Sequence, residues 1–395
     1  MKKAIIIFLI ANILNAQEKY PGYIQERNSA DISKIDKLVD NQYVEVVING
    51  DKQKFLFDTG AYFSSIFQSD NNHGLELMGK MKIGSAFNES LVIDRLRAKT
   101  FNTSITKTEY RVLNSAPSIN ELNKCEVSAL KGVLGLETYF DTKLPFLLDY
   151  KNQNIKLIEN FDRKNFPEYS EVTSSYKGLI AKLIFVDLLV NGKKERFLFD
   201  SGADVSIMMK DIKEEKYDSM IEFTYFTSTG LQKAKQLIKN KNTIQLNKNI
   251  TVSSDIMYYE NTHSNILGIQ FIKNFNWIID KKNRKVYVKQ NTKENISNSA
   301  RFKNINYLAV NQGGKLIVNL STFKDNKNAF KVGDEILKVN NQSITPQNIC
   351  EMQSLLNSTK DWSNLKIETN INNLKPTLRT DKITVSVMED GHLIE

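Results

Sequence analysis

Residues 43–66, YVEVVINGDKQKFLFDTGAYFSSI, and residues 185–208, FVDLLVNGKKERFLFDSGADVSIM, are two copies of one pattern. They align without a gap at an offset of 142 residues (58 to 200). Each copy begins with the apolar alternation of a half-buried strand, turns on Asn-Gly (Asn49-Gly50, Asn191-Gly192), and runs into a second strand ending Phe-Leu-Phe-Asp. A hydroxyl residue and a glycine follow each acid: Thr59-Gly60 after Asp58, Ser201-Gly202 after Asp200.

A second pair of segments recurs in the same order. Val133-Leu134-Gly135 precedes Phe146-Leu147-Leu148-Asp149, a Lys-rich turn and a strand. Ile266-Leu267-Gly268 precedes Trp277-Ile278-Ile279-Asp280 and the same sequel. The duplication therefore spans whole units of ordinary domain size. Asp149 and Asp280 end equivalent strands and read as turn caps, and Trp277 reads as core.

Composition narrows the chemistry. The 395 residues suit two or three domains of globular make-up, 41% hydrophobic and 25% charged. Two cysteines and three histidines (His73, His263, His392) argue against a metal centre of the usual Cys/His type. Cys125 and Cys350 are expected as two free, buried thiols. The formal charge is +9, but the lysines are dispersed and accompany no nucleic-acid signature, so a solvated basic surface is expected rather than a nucleic-acid partner. No cofactor is implied.

Residues 1–17, MKKAIIIFLIANILNAQ, place Lys2 and Lys3 before a short apolar run, with Ala16 ahead of a cleavage point. This is the pattern of a secretory signal peptide, and the run is short of the about 20 residues that a membrane span needs. Export to the periplasm or medium is expected, with no stable membrane span.

Two acids at equivalent positions of a repeat would meet if the halves pair about a pseudo-two-fold axis. Carboxylates at contact distance cannot both ionise, so they share one proton. The ionised member can take a proton from water while the protonated member polarises a peptide carbonyl. Gly60 and Gly202 are expected to let the backbone turn tightly beneath the acids. Thr59 and Ser201 are expected to hydrogen-bond across the interface.

At these residues the chain resembles the aspartic proteases, closest to retropepsin-like enzymes with two fused lobes. Asp200-Ser201-Gly202-Ala203-Asp204 is similar to that family's motif, and Tyr62 departs from it where the second copy has Asp204. The resemblance covers about residues 35–289. It implies a mainly β fold with two closed, barrel-like lobes, a cleft taking an extended peptide or protein substrate, and Asp58 and Asp200 as the catalytic dyad. Flap candidates are Gly84-Ser85 and Thr229-Gly230 in the segments Ile83-Gly84-Ser85 and Ser228-Thr229-Gly230. A rival reading is a two-lobed peptide-binding protein without turnover.

Polar stretches divide the chain into a signal peptide (1–17), lobe 1 (18–160), a connection (161–177), lobe 2 (178–290), a linker (291–300) and a tail (301–395). In the tail, Gly333-Asp334-Glu335-Ile336-Leu337-Lys338-Val339-Asn340 resembles a PDZ strand, and Ile349, Met352, Leu355 and Leu356 share a helix face. The resemblance implies a small α+β module whose groove, at Leu308, Ala309 and Val310, accepts a peptide C-terminus as an added strand. Ala309 replaces the usual glycine there. A packing role against the cleft is the alternative. A monomer is expected.

Overall fold

Both Asn-Gly pairs turn a hairpin. Asn49 and Gly50 have φ of 50° and 98°, Asn191 and Gly192 of 48° and 83°, the left-handed conformations a two-residue hairpin turn requires. The structure is a computed structural model describing residues 26–67, 74–84, 90–116, 125, 130–177, 183–210, 217–227, 230–259, 264–291, 306–323 and 330–370. The expected signal peptide, His73, His263, His392 and part of the tail lie outside the described residues. The fold is mainly β, with sheets of ten, six and thirteen strands among the described residues.

The two hairpins are built alike. Tyr43–Ile48 pairs with Asp51–Phe57 so that Ile48 faces Asp51; Leu183–Val190 pairs with Lys193–Phe199 so that Val190 faces Lys193. Each Phe-Leu-Phe strand then takes the apolar-apolar-Gly strand of its own copy as a parallel neighbour, Phe57 against Leu134 and Phe199 against Leu267. The far side of that neighbour pairs antiparallel with the strand following each acid, Ser65–Phe67 or Ile207–Met209. Each acid thus sits at the end of a strand whose next residues must loop over a crossing strand.

The copies are joined by the six-stranded sheet. Phe146–Asp149 of the first and Phe275–Asp280 of the second lie antiparallel at its centre, with Leu148 opposite Trp277. Every residue of both strands is buried, which explains their unbroken apolar runs. Asp149 and Asp280 cap the turns that follow, accepting the amides of Asn152 (3.1 Å) and Asn283 (3.0 Å). The 161–177 connection is not merely a polar strap: Ser170–Val172 closes one edge of this sheet and Ser174–Lys177 extends the hairpin of the second copy.

The tail supplies strands Tyr307–Gln312, Lys315–Phe323, Glu335–Val339, Gln342–Ser343 and Ile367–Asn370, and the helix Ile349–Ser358. It is not detached. Lys315–Phe323 pairs antiparallel with Ser219–Thr227 of the second copy, extending its sheet. Ile349, Met352 and Leu356 pack around buried Trp362, whereas Leu355, expected on the same face, is 36% exposed.

Cys125 and Cys350, expected as free thiols, form a disulfide instead. Their separation of 225 residues hid a Cα–Cα distance of 5.0 Å, well within bridging reach. Among the described residues no helix is long and apolar enough to cross a membrane.

Trp277 is fully buried, edge-on to Phe199 at 4.9 Å, and its indole N–H donates to the Ile272 carbonyl at 2.9 Å. Trp277→Ala is expected to cost about 3–5 kcal/mol, since it opens a cavity where the copies meet and strands a carbonyl. A urea midpoint unchanged from wild type would contradict this packing.

Candidate active site

The loops after the two acid strands meet. Phe57 and Phe199, each fully buried, anchor the strand ends. Thr59 Oγ1 donates to the Phe199 carbonyl at 2.8 Å and accepts the Ser201 amide at 2.9 Å. Reciprocally, Ser201 Oγ donates to the Phe57 carbonyl at 2.8 Å and accepts the Thr59 amide at 3.0 Å. Four buried hydrogen bonds thus lock residues 142 apart in sequence, and each hydroxyl uses both its donor and an acceptor site.

The lock sets the acids against one another. Asp58 Oδ1 accepts the amides of Gly60 (2.7 Å) and Ala61 (3.1 Å); Asp200 Oδ1 accepts those of Gly202 (2.9 Å) and Ala203 (3.0 Å). Each carboxylate lies beside the glycine of the other copy. A Cβ built at Gly60 would stand 2.5 Å from Asp200 Cγ, and one at Gly202 would press equally hard on Asp58 Cγ. Neither glycine adopts a positive φ. The expectation that they serve turn geometry is therefore corrected: their role is to leave room for the opposing carboxylate.

Burial and proximity determine the protonation. Asp58 is 5% exposed and Asp200 1%. The Asp200 carboxyl is held well above the usual carboxylate range, first by burial, then by the Asp58 charge and a hydrogen bond between the two side chains. The two amides given to Asp200 oppose that shift without cancelling it.

Beneath the first acid loop lies a cluster that sequence reasoning missed. Glu137 Oε1 accepts the Ser64 amide at 2.7 Å and stands 3.3 Å from Arg111 Nη1; the Glu137 amide donates to the Tyr62 carbonyl at 3.0 Å. Burial pushes the Glu137 carboxyl up to about 7 despite Arg111. Its Oε2 is buried beside Gly135 without a hydrogen-bond partner. In the second copy Gln270 holds the corresponding place and bonds Asp204. The exchange of Tyr62 and Glu137 for Asp204 and Gln270 is one coordinated difference. Its signal was the residue two positions after Gly135 and Gly268.

The remaining candidates are dispersed. Gly84 ends strand Glu76–Gly84, opposite Ser90, and Gly230 opens Gly230–Asn247, opposite Thr227; both lie at hairpin tips, while Ser85 and Thr229 fall outside the described residues. Leu308, Ala309 and Val310 lie in Tyr307–Gln312, over the tail helix. The Ala309 amide donates to Asn357 Oδ1 at 2.8 Å and its carbonyl accepts from Asn357 Nδ2 at 3.0 Å. Among the described residues no group of His, Cys, Asp and Glu could hold a metal ion.

Two measurements check this geometry. Ser201→Ala strands the Phe57 carbonyl and the Thr59 amide and is expected to cost roughly 2–4 kcal/mol, whereas Ser201→Thr, which mimics Thr59, restores most of it. Equal loss in both variants would contradict the lock. Glu137 binds its proton more tightly folded than unfolded, so its contribution to stability falls as pH rises from about 4.5 to about 7. Thermal melts across that window should therefore fall less steeply in Glu137→Gln; an unchanged slope would contradict a buried, proton-holding Glu137. No protein-family model and no curated protein matches the chain, so its own residues carry the functional reading.

Proposed function

We propose that this protein is an exported, aspartic-type endopeptidase of two lobes, resembling the retropepsin-like enzymes, with a PDZ-like tail. The observation that supports it best is the reciprocal lock at Thr59 and Ser201, which puts one buried carboxyl from each copy against the other.

One proton shared by Asp58 and Asp200 gives the pair an acid and a base. The deeper burial of Asp200 favours it as the protonated partner. In this mechanism Asp58 takes a proton from a water as its oxygen attacks the scissile carbonyl carbon. Asp200 donates to the carbonyl oxygen, giving a neutral tetrahedral diol. Asp58 then gives its proton to the amide nitrogen while Asp200 takes one from a diol hydroxyl. The C–N bond breaks, a carboxyl and an amine leave, and the pair regains its starting protonation. The four backbone amides bonded to the inner carboxylate oxygens hold both groups in place, so little reorganisation accompanies the transfer. The hairpins Glu76–Gly84/Ser90–Arg97 and Ser219–Thr227/Gly230–Asn247 are the proposed flaps over an extended peptide.

Asp58→Asn and Asp200→Asn each preserve an oxygen for the loop amides, so both variants should fold. Each is expected to lower cleavage of a mixed peptide library by roughly 10²–10⁴-fold. Wild-type cleavage should decline as pH rises through the elevated Asp200 range, where the shared proton is lost. Full activity in either variant overturns the dyad. Intact peptides at every pH, with saturable binding, would favour the peptide-binding protein without turnover.

A further inference from the structure

The tail's groove is closed by its own helix. A peptide can add to Tyr307–Gln312 only through the strand edge that faces away from Lys315–Phe323. That edge already has partners. Asn357 both accepts the Ala309 amide and donates to its carbonyl, and Gln353 Oε1 accepts the Asn311 amide at 2.6 Å. Gln353 is 3% exposed, so its amide group is fixed in the interior rather than available for exchange with solvent. An incoming strand would have to break three backbone–side-chain bonds and leave the buried Gln353 oxygen without its donor, a penalty that addition to a free edge does not carry.

The other side of the same small sheet is also occupied, by this chain. Lys315–Phe323 pairs with Ser219–Thr227, from Met220 opposite Phe323 to Phe223 opposite Leu320. Leu320 is 2% exposed in a cluster with Ile221, Phe223, Tyr259, Ala203 and Val205. Ala203 is the residue whose amide bonds Asp200. Packing therefore runs without a break from the tail strand, through the long hairpin of the second copy, to the Asp200 loop.

A second attachment reaches the other copy. Cys350, on the tail helix, is bonded to Cys125, which lies between Val112–Ala116 and Leu130–Leu134 of the first copy. Cys125 packs against the tail's own core beside Asn311, whose Nδ2 stands 3.3 Å from Cys125 Sγ. The tail is thus held to the second copy by strand pairing and to the first by a covalent bond.

We infer that the C-terminal module is an intramolecular brace, with its peptide edge sealed by Asn357 and Gln353, that fixes the Ser219–Thr227 hairpin and the Asp200 loop and is locked in place by the Cys125–Cys350 disulfide. The partner of its sheet is a strand of this chain, not a foreign peptide. The bond works by effective concentration: with it intact, a tail strand that leaves the hairpin stays close and re-pairs. This inference rests on strand pairing and packing and stands whether or not the site cleaves peptides.

Hydrogen exchange on the full-length protein tests it, comparing the oxidised wild type with the wild type treated with a phosphine reductant and with Cys350→Ser. Loss of the bond is expected to speed exchange about tenfold or more in 219–223 and 201–205, with 43–57 unchanged as the internal control. In parallel, fluorescent decapeptides ending in a free Val, Leu or Phe carboxylate should show no saturable binding to the oxidised protein. Unchanged exchange at 219–223 and 201–205 after reduction overturns the brace. Equal acceleration in 43–57 also overturns it, by making the disulfide a general staple. Stoichiometric decapeptide binding that protects 307–312 overturns the sealed edge. Reduction of already folded wild type keeps the test decisive if Cys350→Ser fails to fold.

Discussion

Everything at the centre of this molecule depends on two hydroxyl groups reaching across to the opposite copy. Thr59 and Ser201 each bond one carbonyl and one amide of the other loop, at 2.8 to 3.0 Å. Without that exchange the Phe57 and Phe199 carbonyls would be buried and unpaired at the ends of their strands, a cost of about 1–3 kcal/mol each. Satisfying them across the copies holds the two loops against each other, and that contact brings Asp58 and Asp200 together. Repulsion between the acids is tolerated because the same loops supply two amides to each. The glycines follow from the geometry: any side chain at 60 or 202 would occupy the space of the facing carboxyl.

The copies match in hairpin register and in strand crossing, yet differ in what supports each loop. The first stands on an ionisable cluster, buried Arg111 and Glu137 with half-buried Asp141, at the level of Ser64. The second stands on a neutral amide, Gln270, bonded to Asp204. A further asymmetry comes from the tail, whose strand Lys315–Phe323 pairs with the second hairpin and whose helix is joined to the first copy by a disulfide. A pair of chemically identical acids thus sits in unequal surroundings.

Much of this was legible in the sequence. The Asn-Gly turns, the unbroken apolar strands and the repeated Phe-Leu-Phe-Asp are local signals, and local signals with two copies in register specify a pairing. Asp149 and Asp280 were readable as caps because their turns are local too. Contacts between distant segments were not. Nothing in the spacing of Cys125 and Cys350 indicates that a loop of the first copy touches the tail helix. Leu355 fits the apolar spacing of that helix, but the inner face is filled by Gln353, whose amide bonds the Asn311 backbone. Glu137 looks in sequence like an ordinary charged residue at the start of a helical turn; Arg111, from the turn between Thr106–Glu109 and Val112–Ala116, meets it in the interior.

The central claim is that Asp58 and Asp200 hold a single proton between them. Carboxyl-carbon NMR of the protein labelled at aspartate Cγ reads this directly as pH is varied. The account predicts two coupled carboxyl signals that titrate in separate steps, one well above the ordinary aspartate value of about 3.9. Two independent titrations near that ordinary value would contradict it.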